Sequence, residues 1–323
     1  MKKHKTALVT GATGAIGPKL VHELLRRGWT VKVLVRDQTK LSSTGAEPVL
    51  CDLTAPQNLE SAMKEVDTVF HLAAKLHINS PSASLKSEYK SINVEATSRL
   101  LDAASSANVS RFIFFSTINV YGPSAPGQCW DEDARLNPDS IYAETKIEAE
   151  ELVKKFPGNS VLRMAAVFGP GMKGNYVKLV QALKRGRFFF VGDGLNRRSL
   201  IYVDDSCSAA ILAAEEAQSA GRIYNVTDGS TPTLRNIVEE ICGALQRRVP
   251  SIKMPLGLAR ISSSSVDGIL KLAGRPRFRN MVEKLVEDVA VNGSRIQSEI
   301  GFKPACSQAD GWKAVVESMY FEK

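Results

Sequence analysis

The chain has 323 residues, of which 44% are hydrophobic and 24% are charged, and its formal net charge is +8. These values are ordinary for a soluble globular protein with one large fold or two joined subdomains, and they exclude fibrous and low-complexity chains. Lys and Arg are spread along the sequence without interleaved aromatic residues, which argues against a nucleic-acid partner. The net positive charge favours anionic small molecules such as nucleotide diphosphates, or serves solubility alone.

The cysteines are odd in number, widely separated and without a C-x-x-C pair, so they indicate neither a disulfide framework nor a metal site. This usage is typical of the reducing cytoplasm. The first residues lead directly into a strand-like segment, which leaves no room for a signal peptide. No stretch approaches the roughly 20 apolar residues that a membrane span requires.

The first half of the chain alternates short apolar runs with helical patterns, as in consecutive βαβ units. This rhythm predicts an α/β fold of the Rossmann type, a doubly wound parallel sheet with a smaller C-terminal substrate-binding subdomain. The predicted strands are Ala7–Thr10, Val31–Val35, Glu47–Cys51, Thr68–Leu72, Phe112–Ser116 and Val161–Met164. The predicted helices are Ile16–Arg27, Leu59–Met63, Asn93–Ala107 and Ser140–Lys155.

The glycine pattern Gly11-x-x-Gly14-x-x-Gly17 follows the first strand and opens the first helix, the context of a dinucleotide-binding loop. The first glycine allows the turn, the second lets amides approach a pyrophosphate, and the third permits close helix–strand packing. The alternative is a tight turn without a ligand. The predicted contacts in this loop are Gly11, Thr13, Gly14, Ala15, Ile16 and Gly17.

The ends of the next strands complete the predicted cofactor site. Arg36 favours a 2′-phosphate and therefore NADP over NAD, with Lys40 as a second cation, whereas Asp37 or a main-chain contact would serve NAD. A solvated arginine is the remaining alternative. Asp52 and Leu53 are predicted to flank adenine, and Leu72, Ala73 and Ala74 to border the diphosphate and ribose.

Tyr142 and Lys146 lie four residues apart in a predicted helix and therefore share one of its faces. The lysine charge is expected to lower the pKa of the phenol, which suits proton exchange between an alcohol and a carbonyl. The pair Ser116-Thr117 at the end of a strand adds a hydroxyl for the reacting oxygen. Alone, the Tyr–Lys spacing is weak and can be an accident of a helix surface.

The second half of the chain is less regular. A helix is predicted at Asn175–Lys184, a strand at Phe188–Val191, and a helix from the N-cap Thr233 through Gln246. Leu200–Val203 and Ile223–Val226 are predicted strands that return to the sheet. We expect residues 1–170 and 196–228 to form the dinucleotide-binding domain, and residues 171–195 and 229–323 the substrate-binding subdomain.

Four further features have structural explanations. His71 is expected to be a core histidine, Tyr121 to be structural, and Asp204-Asp205 to begin a helix. The run Phe188–Phe190 either fills the core or packs beneath a nucleobase. Gly257–Leu272 is modestly amphipathic and basic, so we expect a packed lid helix, with contact to a membrane surface as the alternative. His77, in a loop, has no predicted partner.

Taken together, these motifs resemble the extended short-chain dehydrogenases/reductases, in the nucleotide-sugar epimerase/dehydratase group. The resemblance covers nearly the whole chain in family order. Its pieces are Thr10–Gly17, Cys51–Leu53, His71–Ala74, Asn93-Val94, Ser116–Gly122, Tyr142–Lys146, Gly192–Gly194, Arg198–Asp205 and Ser294–Pro304.

The resemblance implies the roles of individual residues. It selects Thr117 over Ser116 as the catalytic hydroxyl, beside Tyr142 and Lys146. It places Asn175 and Arg198 at a substrate diphosphate. It adds Asn93 to the cofactor site. It also implies a homodimer formed through the helices at 93–107 and 140–155.

Two departures from the family pattern restrict the reaction. Sugar 4,6-dehydratases carry Asp-Glu directly after the catalytic threonine, but this chain has Ile118-Asn119, so dehydration is not expected. The segment Arg163–Ala166 lacks an asparagine that several 4-epimerases place near the sugar, which leaves the substrate pose open.

The resemblance therefore implies reversible hydride transfer at C4 of a nucleotide-diphosphate sugar, as in a UDP-sugar 4-epimerase, with NADP or NAD as the cofactor. The first alternative is an NADPH-dependent 4-ketoreductase of a nucleotide deoxysugar. A reductase of a non-sugar carbonyl compound would not need Arg198 beside Asn175. A non-catalytic sensor or scaffold would predict a damaged catalytic set, whereas Thr117, Tyr142 and Lys146 are all present.

Overall fold

The structure is a computed structural model that describes residues 5–40, 45–55, 57–76, 83–172, 174–258 and 286–321. Strands and helices alternate along the first half of the chain, as the sequence predicts. The strands are β1 Thr6–Thr10, β2 Thr30–Val35, β3 Glu47–Leu50, β4 Thr68–His71, β5 Arg111–Thr117, β6 Asn159–Met164, β7 Ala166–Phe168, β8 Phe190–Val191, β9 Leu200–Tyr202, β10 Arg222–Val226 and β11 Lys253–Met254.

The helices fill the intervals between these strands and form the C-terminal part of the described chain. They are α1 Gly17–Arg26, α2 Leu59–Ala62, α3 Ala83–Lys90, α4 Ala96–Ser106, α5 Ile141–Val153, α6 Asn175–Lys184, α7 Val203–Glu215, α8 Leu234–Ala244, α9 Ser294–Ile300 and α10 Gln308–Phe321. A π-helical turn, Ser91–Glu95, joins α3 to α4, so the helix predicted from Asn93 is the second half of a longer helical segment.

Seven strands form one parallel sheet in the order β3-β2-β1-β4-β5-β6-β10. The order reverses direction between β1 and β4, where connections leave on opposite faces of the sheet. In such sheets, ligands bind at the carboxyl ends of the strands beside this reversal. The predicted Rossmann-type fold is therefore confirmed, and its topology places the ends of β1, β4 and β5 at one crevice.

Burial explains why these segments form the sheet. All four residues of β4 and all six of β6 are buried, as expected for strands that are covered by helices on both faces. One apolar core lies between the sheet and the helices α1 and α7, and a second lies between the sheet and α2, α4 and α5. Packing on both faces fixes the strand ends that carry the site.

One strand prediction is wrong in its partner. Leu200–Tyr202 does not return to the main sheet but pairs with β7 in a separate two-stranded sheet, Ala166 opposite Leu200. The cause is that β10 already occupies the edge of β6, through Ile223 and its neighbours. After Met164 the chain leaves the main sheet, and the residues of β7 pair with β9 instead.

A third apolar cluster joins α6, α8 and α10 around the stacked rings of Phe168 and Trp312, whose centroids are 4.4 Å apart. Phe190 belongs to this core, whereas Phe189 is exposed, so the aromatic run serves two environments. The strand there is limited to Phe190–Val191. Thr233 is the N-cap of α8 in a capping box with Asn236, as predicted. The proposed division into domains remains a prediction.

Several sequence predictions fall on residues outside the described ranges. His77 is one of them, and so is most of the predicted lid helix Gly257–Leu272. Asp204 and Asp205 lie in the first turn of α7, as expected for acidic residues at a helix start, but the N-cap itself is Tyr202. The Asp205 carboxylate also accepts hydrogen bonds from the backbone N–H groups of Ala305 and Cys306, which ties the C-terminal segment to this helix.

Candidate active site

The glycine loop between β1 and α1 is shaped by close backbone contacts. Gly11 has φ +72°, and a Cβ on it would lie 2.8 Å from the backbone nitrogen of Ala73, at the end of β4. A Cβ on Gly17 would lie 2.3 Å from the carbonyl oxygen of Gly11. The third glycine therefore permits packing of the helix start against the loop itself, rather than against a strand.

The surface of this loop is open. Thr13, Gly14 and Ala15 are exposed, and Ile16, the N-cap of α1, is half-buried and makes no side-chain capping bond. Within the part of the chain that the structure describes, no side chain accepts from the amides at the start of α1, while the N–H of Gly14 donates to the carbonyl of Gly11 at 2.9 Å. The start of a helix with such amides favours an anion, so these residues fit the diphosphate of a dinucleotide.

The ends of β2 and β3 lie next to the loop in the sheet. Arg36 and Asp52 are exposed and Leu53 is half-buried. Hydrogen bonds from the backbone and hydroxyl groups of Thr54 hold the pKa of Asp52 below its ordinary value, and the charge of Arg36 adds to this effect. Arg36 and Asp52 therefore face one region of the surface, where a cation and an anion are both available to an adenosine ribose.

The residues that follow β4 border the glycine loop from the other side. Leu72, Ala73 and Ala74 are half-buried. The N–H of Ala73 donates to the hydroxyl oxygen of Thr10 over 3.1 Å, which fixes the strand end against β1. The role predicted for these residues, to border the diphosphate and ribose of a cofactor, stays a prediction.

His71 is a core histidine, as expected. It is 1% exposed, and its ring nitrogens are hydrogen-bonded to the hydroxyls of Thr10 and Thr97 at 2.7 and 2.9 Å. Burial, together with the charge of Lys146, lowers the pKa of His71 to about 3. The imidazole is consequently neutral near pH 7.

Asn93 organises the site rather than facing its surface. It is 2% exposed, and its amide oxygen accepts from the N–H of Lys75 at 2.7 Å. Its amide nitrogen donates to the hydroxyl of Thr145 on α5 at 3.0 Å and to the carbonyl of Lys75. The residue thus connects the segment after β4 to the helix that carries Tyr142.

Ser116 and Thr117, at the end of β5, have different environments. The Ser116 hydroxyl donates to the buried carboxylate of Glu150 on α5. The Thr117 hydroxyl accepts only the N–H of Asn119, at 3.2 Å, where Thr117 is the N-cap of a short 3-10 helix, Ile118–Tyr121. The hydroxyl proton of Thr117 thus has no acceptor among the described residues, whereas Ser116 is engaged in packing.

Tyr142 and Lys146 lie on the face of α5 that packs against β5. Lys146 is 2% exposed, and its Nζ is 3.8 Å from the ring centroid of Phe114. Burial lowers the pKa of Lys146 to about 7, and the negative charge of Glu150 opposes this shift. The amine is therefore close to its titration point at neutral pH.

The pKa of Tyr142 does not follow the sequence-based expectation. It lies above the ordinary value of a phenol because the hydroxyl is buried, and the nearby phenol of Tyr89 raises it further. The expectation that Lys146 lowers this pKa is therefore corrected. Desolvation and the Tyr89 phenol both raise this pKa, and the Lys146 charge does not offset them.

A buried ionic cluster behind the Tyr–Lys pair escaped the sequence reasoning. Arg163 on β6 makes a bidentate contact with Glu150, with the shortest distance at 2.7 Å, and donates to the hydroxyl of Tyr121, also at 2.7 Å. Tyr121 donates in turn to Asn225, so its predicted structural role is confirmed. The sequence signal that could have revealed this cluster was Glu150, a carboxylate four residues after Lys146 on the same helix face.

The two predicted substrate residues are linked through Tyr176, the second residue of α6. Asn175 is the first residue of this helix and is exposed. Burial raises the pKa of the adjacent Tyr176 to about 12, and the positive charge of Arg198 opposes that shift, so the guanidinium lies near Tyr176. The backbone of Arg198 is held by the carbonyl of Pro232 at 2.9 Å.

Two negative findings apply to the described part of the chain. None of its helices is long and apolar enough to cross a membrane. Within the same residues, no group of three or more His, Cys, Asp or Glu side chains is arranged to hold a metal ion.

Comparison with known proteins identifies relatives along the whole chain. The sequence model of the NAD dependent epimerase/dehydratase family matches residues 7–227. UDP-glucose 4-epimerase of Vibrio cholerae is 26% identical over 326 residues, covering 98% of this chain and 96% of the relative. dTDP-glucose 4,6-dehydratase of Streptomyces griseus is 31% identical over 329 residues, covering 96% of this chain and 92% of the relative.

A solved structure shares the fold over nearly the same extent. The structure of MoeE5 in complex with UDP-glucuronic acid and NAD has a TM-score of 0.77 and 28% sequence identity, covering 98% of this chain and 100% of that one. The family model spans more than half of the chain, and the glycine loop and the Thr–Tyr–Lys set lie within the matched residues. The chain therefore belongs to the NAD dependent epimerase/dehydratase family and is an enzyme of the extended short-chain dehydrogenase/reductase type.

Proposed function

We propose that this enzyme catalyses reversible hydride transfer at C4 of a nucleotide-diphosphate sugar, as a UDP-sugar 4-epimerase does. The observation that carries the proposal is the position of α5, which packs Lys146 against Phe114 of β5 and presents Tyr142 on the same face. Thr117 ends that same strand. In the proposal, the phenol, the amine and the hydroxyl serve one reaction centre at the carboxyl end of β5.

The glycine loop and the ends of β2, β3 and β4 would hold a nicotinamide dinucleotide, whose ring supplies the hydride exchange when it is bound. In the proposal, Tyr142 exchanges a proton with the sugar hydroxyl. A phenol with a raised pKa is a proton donor in its resting state, which suits reduction of a 4-keto group, and it must lose its proton for oxidation. Lys146 would lower that cost when it is protonated. Thr117 would donate to the reacting oxygen.

We assign the diphosphate of the substrate to the region between the start of α6 and Arg198. Arg198 brings a guanidinium to Tyr176, and Asn175 is exposed at the adjacent start of α6. A guanidinium binds phosphate oxygens through two parallel hydrogen bonds, and an amide adds a neutral donor. This pair supports a nucleotide-linked substrate over a simple carbonyl compound.

Two named relatives support the choice of epimerisation. The Vibrio cholerae relative is a UDP-glucose 4-epimerase, and the MoeE5 structure contains UDP-glucuronic acid and NAD. The dehydratase relative is slightly more similar in sequence. Elimination of water nevertheless requires an acid–base pair, and the two residues after Thr117 are the buried Ile118 and the exposed Asn119. Neither can transfer that proton.

The cofactor remains a choice between NAD and NADP. NAD in the MoeE5 structure favours NAD, whereas the exposed Arg36 at the end of β2 favours the 2′-phosphate of NADP. The second candidate function, an NADPH-dependent 4-ketoreductase, follows from the same arginine. The epimerase must retain its cofactor between the two half-reactions, but the reductase must release NADP after each turnover.

One experiment separates these candidates. The purified enzyme is denatured, and the released nucleotide is identified by mass spectrometry. The native enzyme is then incubated with UDP-glucose, UDP-glucuronic acid and dTDP-4-keto sugars. Epimerisation predicts retained NAD and formation of the C4 epimer without consumption of added cofactor. Oxidation of added NADPH by a 4-keto sugar, with no epimer formed from any UDP-sugar, would overturn the proposal in favour of the reductase.

Arg198 tests the substrate class. We expect Arg198→Ala to raise the KM for the nucleotide sugar at least tenfold, because one charged phosphate contact is lost. Arg197→Ala is the matched control, since it removes an adjacent guanidinium of equal charge and keeps the backbone N–H that donates to Asp288 at 2.7 Å. Unchanged turnover of every nucleotide sugar in Arg198→Ala would favour a non-sugar carbonyl substrate.

We also propose that the enzyme is a homodimer, formed through α3–α4 and α5. Lys86 with Glu144 and Lys90 with Glu148 join the outer faces of α3 and α5, so the two helices present one continuous surface. Light scattering coupled to gel filtration measures the mass directly. A monomer at micromolar concentration would contradict this proposal without affecting the catalytic assignment.

A further inference from the structure

Two segments far apart in sequence form one face of the molecule, which we call the basic face. They are residues 184–192, after α6, and residues 246–258, after α8. β8 and β11 pair in parallel with Phe190 opposite Lys253, and the N–H of Phe190 donates to the carbonyl of Ile252 at 3.1 Å. The Arg247 guanidinium lies 4.0 Å from the position that a side chain on Gly186 would occupy.

The charge of this face is one-sided. Its six cations are Lys184, Arg185, Arg187, Arg247, Arg248 and Lys253, and neither segment contains an Asp or Glu. Five of the six are exposed, and none of the six forms an ion pair with a carboxylate of the described residues. Six like charges at this density repel one another, so the folded state maintains a local field that attracts an anionic partner.

Apolar side chains lie among these cations. Ile252 is 70% exposed, Phe189 43% and Val249 38%. Phe189 precedes Phe190 by one residue, and Ile252 precedes its partner Lys253 by one, so the parallel register places the two side chains beside each other. Lys184 lies over the ring of Tyr320, 3.8 Å from its centroid, and this tyrosine is 52% exposed. Such a cluster is unfavourable in water and indicates an interaction site.

We propose that the basic face docks the enzyme on the surface of a lipid bilayer that contains anionic headgroups. Each Lys or Arg near such a surface gains attraction, while Phe189 and Ile252 enter the boundary between headgroups and acyl chains. Long basic side chains keep their charges among the headgroups while their stems cover apolar surface. Tyrosine is favoured at this boundary because its ring is apolar and its hydroxyl polar.

The combination of cations and exposed apolar side chains favours a bilayer surface over a nucleic acid or a protein as the partner. A nucleic acid would satisfy the cations but would leave Ile252 and Val249 against a charged backbone. A protein interface depletes lysine at its core, and it would need a carboxylate for each buried cation. A bilayer surface meets both requirements at once. Docking does not depend on the proposed reaction, because Thr117, Tyr142, Lys146, Asn175 and Arg198 all lie outside the basic face.

The docking geometry follows from α6. This helix begins at Asn175, beside the candidate substrate site, and ends at Lys184 on the basic face. Its 10 residues rise about 15 Å. The candidate substrate site consequently lies within about 15 Å of Lys184 on the basic face.

Vesicle sedimentation tests the proposal with the full chain. Wild-type protein is mixed with vesicles of phosphatidylcholine alone, or with one quarter phosphatidylglycerol, at low and at high NaCl. We expect binding to the anionic vesicles only, reduced at least tenfold by high salt, because screened surface charges lose their attraction.

Two matched pairs of variants locate the surface. Arg247→Glu with Arg248→Glu changes the charge by the same amount as Lys154→Glu with Lys155→Glu, two adjacent exposed cations at the end of α5. We expect the first pair to weaken vesicle binding at least tenfold and the second to change it less than threefold. Phe189→Ser with Ile252→Ser should weaken binding that persists at high salt, whereas Leu50→Ser with Leu76→Ser, both exposed elsewhere, should not.

Several results would overturn the proposal. These are the absence of wild-type binding to anionic vesicles and an equal loss in the two charge-reversal pairs. A third is tight binding of duplex DNA that requires Arg247 and Arg248 while vesicles are ignored. A fourth is a dimer that dissociates when Phe189 and Ile252 are replaced, which would assign the face to a second copy of the chain.

Discussion

Arg163 and Glu150 form a salt bridge at 2.7 Å whose side chains are 2% and 0% exposed. The carboxylate also accepts the hydroxyl of Ser116, so this one group connects β5, β6 and α5. Glu150 lies one turn beyond Lys146 on the same helix face, and its charge acts on the lysine. The pair therefore fixes the helix that carries the proposed catalytic residues.

We expect Glu150→Gln to lower the free energy of unfolding by about 3 kcal/mol or more, because the substitution leaves a buried guanidinium without its counter-charge. Equilibrium urea unfolding measures the change. The double variant Glu150→Gln with Arg163→Met should recover most of the loss, since both buried charges are removed.

The control is Glu151→Gln, on the exposed side of the same helix. Glu151 pairs with Lys154 at 2.6 Å in solvent, so its loss should change stability by no more than about 0.5 kcal/mol. Equal destabilisation by the two single variants would show that the buried pair contributes no more to stability than the exposed pair.

Lys146 should make the free energy of unfolding depend on pH in the alkaline range. Its pKa in the folded state is about 7, but in the unfolded chain it returns to the ordinary value near 10.5. Between these values the unfolded chain binds the additional proton, so the free energy of unfolding rises with pH. We expect wild type to gain about 2 kcal/mol relative to Lys146→Met between about pH 7 and about pH 9. Parallel unfolding curves of the two proteins at both pH values would refute the shifted pKa.

His71 should make stability depend on acidic pH. Its pKa is about 3 in the folded state and near 6.5 when unfolded, so between those values only the unfolded chain is protonated. Stability is therefore complete above about pH 6.5 and declines as the pH falls towards 3. Relative to His71→Gln, which keeps hydrogen-bonding groups but cannot titrate, wild type should lose roughly 3 kcal/mol by about pH 4. The same acid profile in both proteins would exclude His71 as the cause.

Gly11 should tolerate no side chain. Gly11→Ala places a Cβ 2.8 Å from the backbone nitrogen of Ala73 at φ +72°, so the glycine loop must move away from β4. We expect a loss of at least about 3 kcal/mol in stability, from steric overlap added to the left-handed backbone strain, together with loss of copurified cofactor. Gly28→Ala is the control, since its φ of +80° carries the same strain but opens into free space. Equal losses in the two variants would show that the contact with Ala73 is unimportant.

Removal of each hydroxyl group near the proposed active site should have a different effect on activity and stability. Tyr142→Phe and Thr117→Val should lower kcat at least a hundredfold on the true nucleotide sugar, because each removes a proton contact to the reacting oxygen. Ser116→Ala should instead lower the free energy of unfolding by about 1 kcal/mol or more and leave kcat within tenfold, since its hydroxyl serves Glu150. Full activity of Tyr142→Phe would contradict the catalytic assignment and support a non-catalytic protein.

Local patterns were sufficient for the first half of the fold. Gly11, Gly14 and Gly17 predicted the loop from their spacing; Gly14 and Gly17 contact the loop itself, whereas Gly11 contacts Ala73, which the spacing does not show. The parallel strands were readable because strands covered on both faces contain short apolar runs, such as Val69-Phe70 in β4 and Val161-Leu162 in β6. Leu200–Tyr202 was recognisable as a strand for the same reason, but its partner depended on which edge β10 had already occupied.

The amino-acid sequence alone determined the order of the βαβ units and the position of the glycine loop, because these are properties of neighbouring residues. It also supplied Thr117, Tyr142 and Lys146 as the candidate catalytic residues, through short motifs. Only the folded chain decided their electrostatics. Lys146 has a lowered pKa and Tyr142 a raised one because distant segments remove water from both groups. Whether a charge is desolvated, and which counter-charge it meets, depends on residues such as Arg163 that lie next to it only after the sheet has formed.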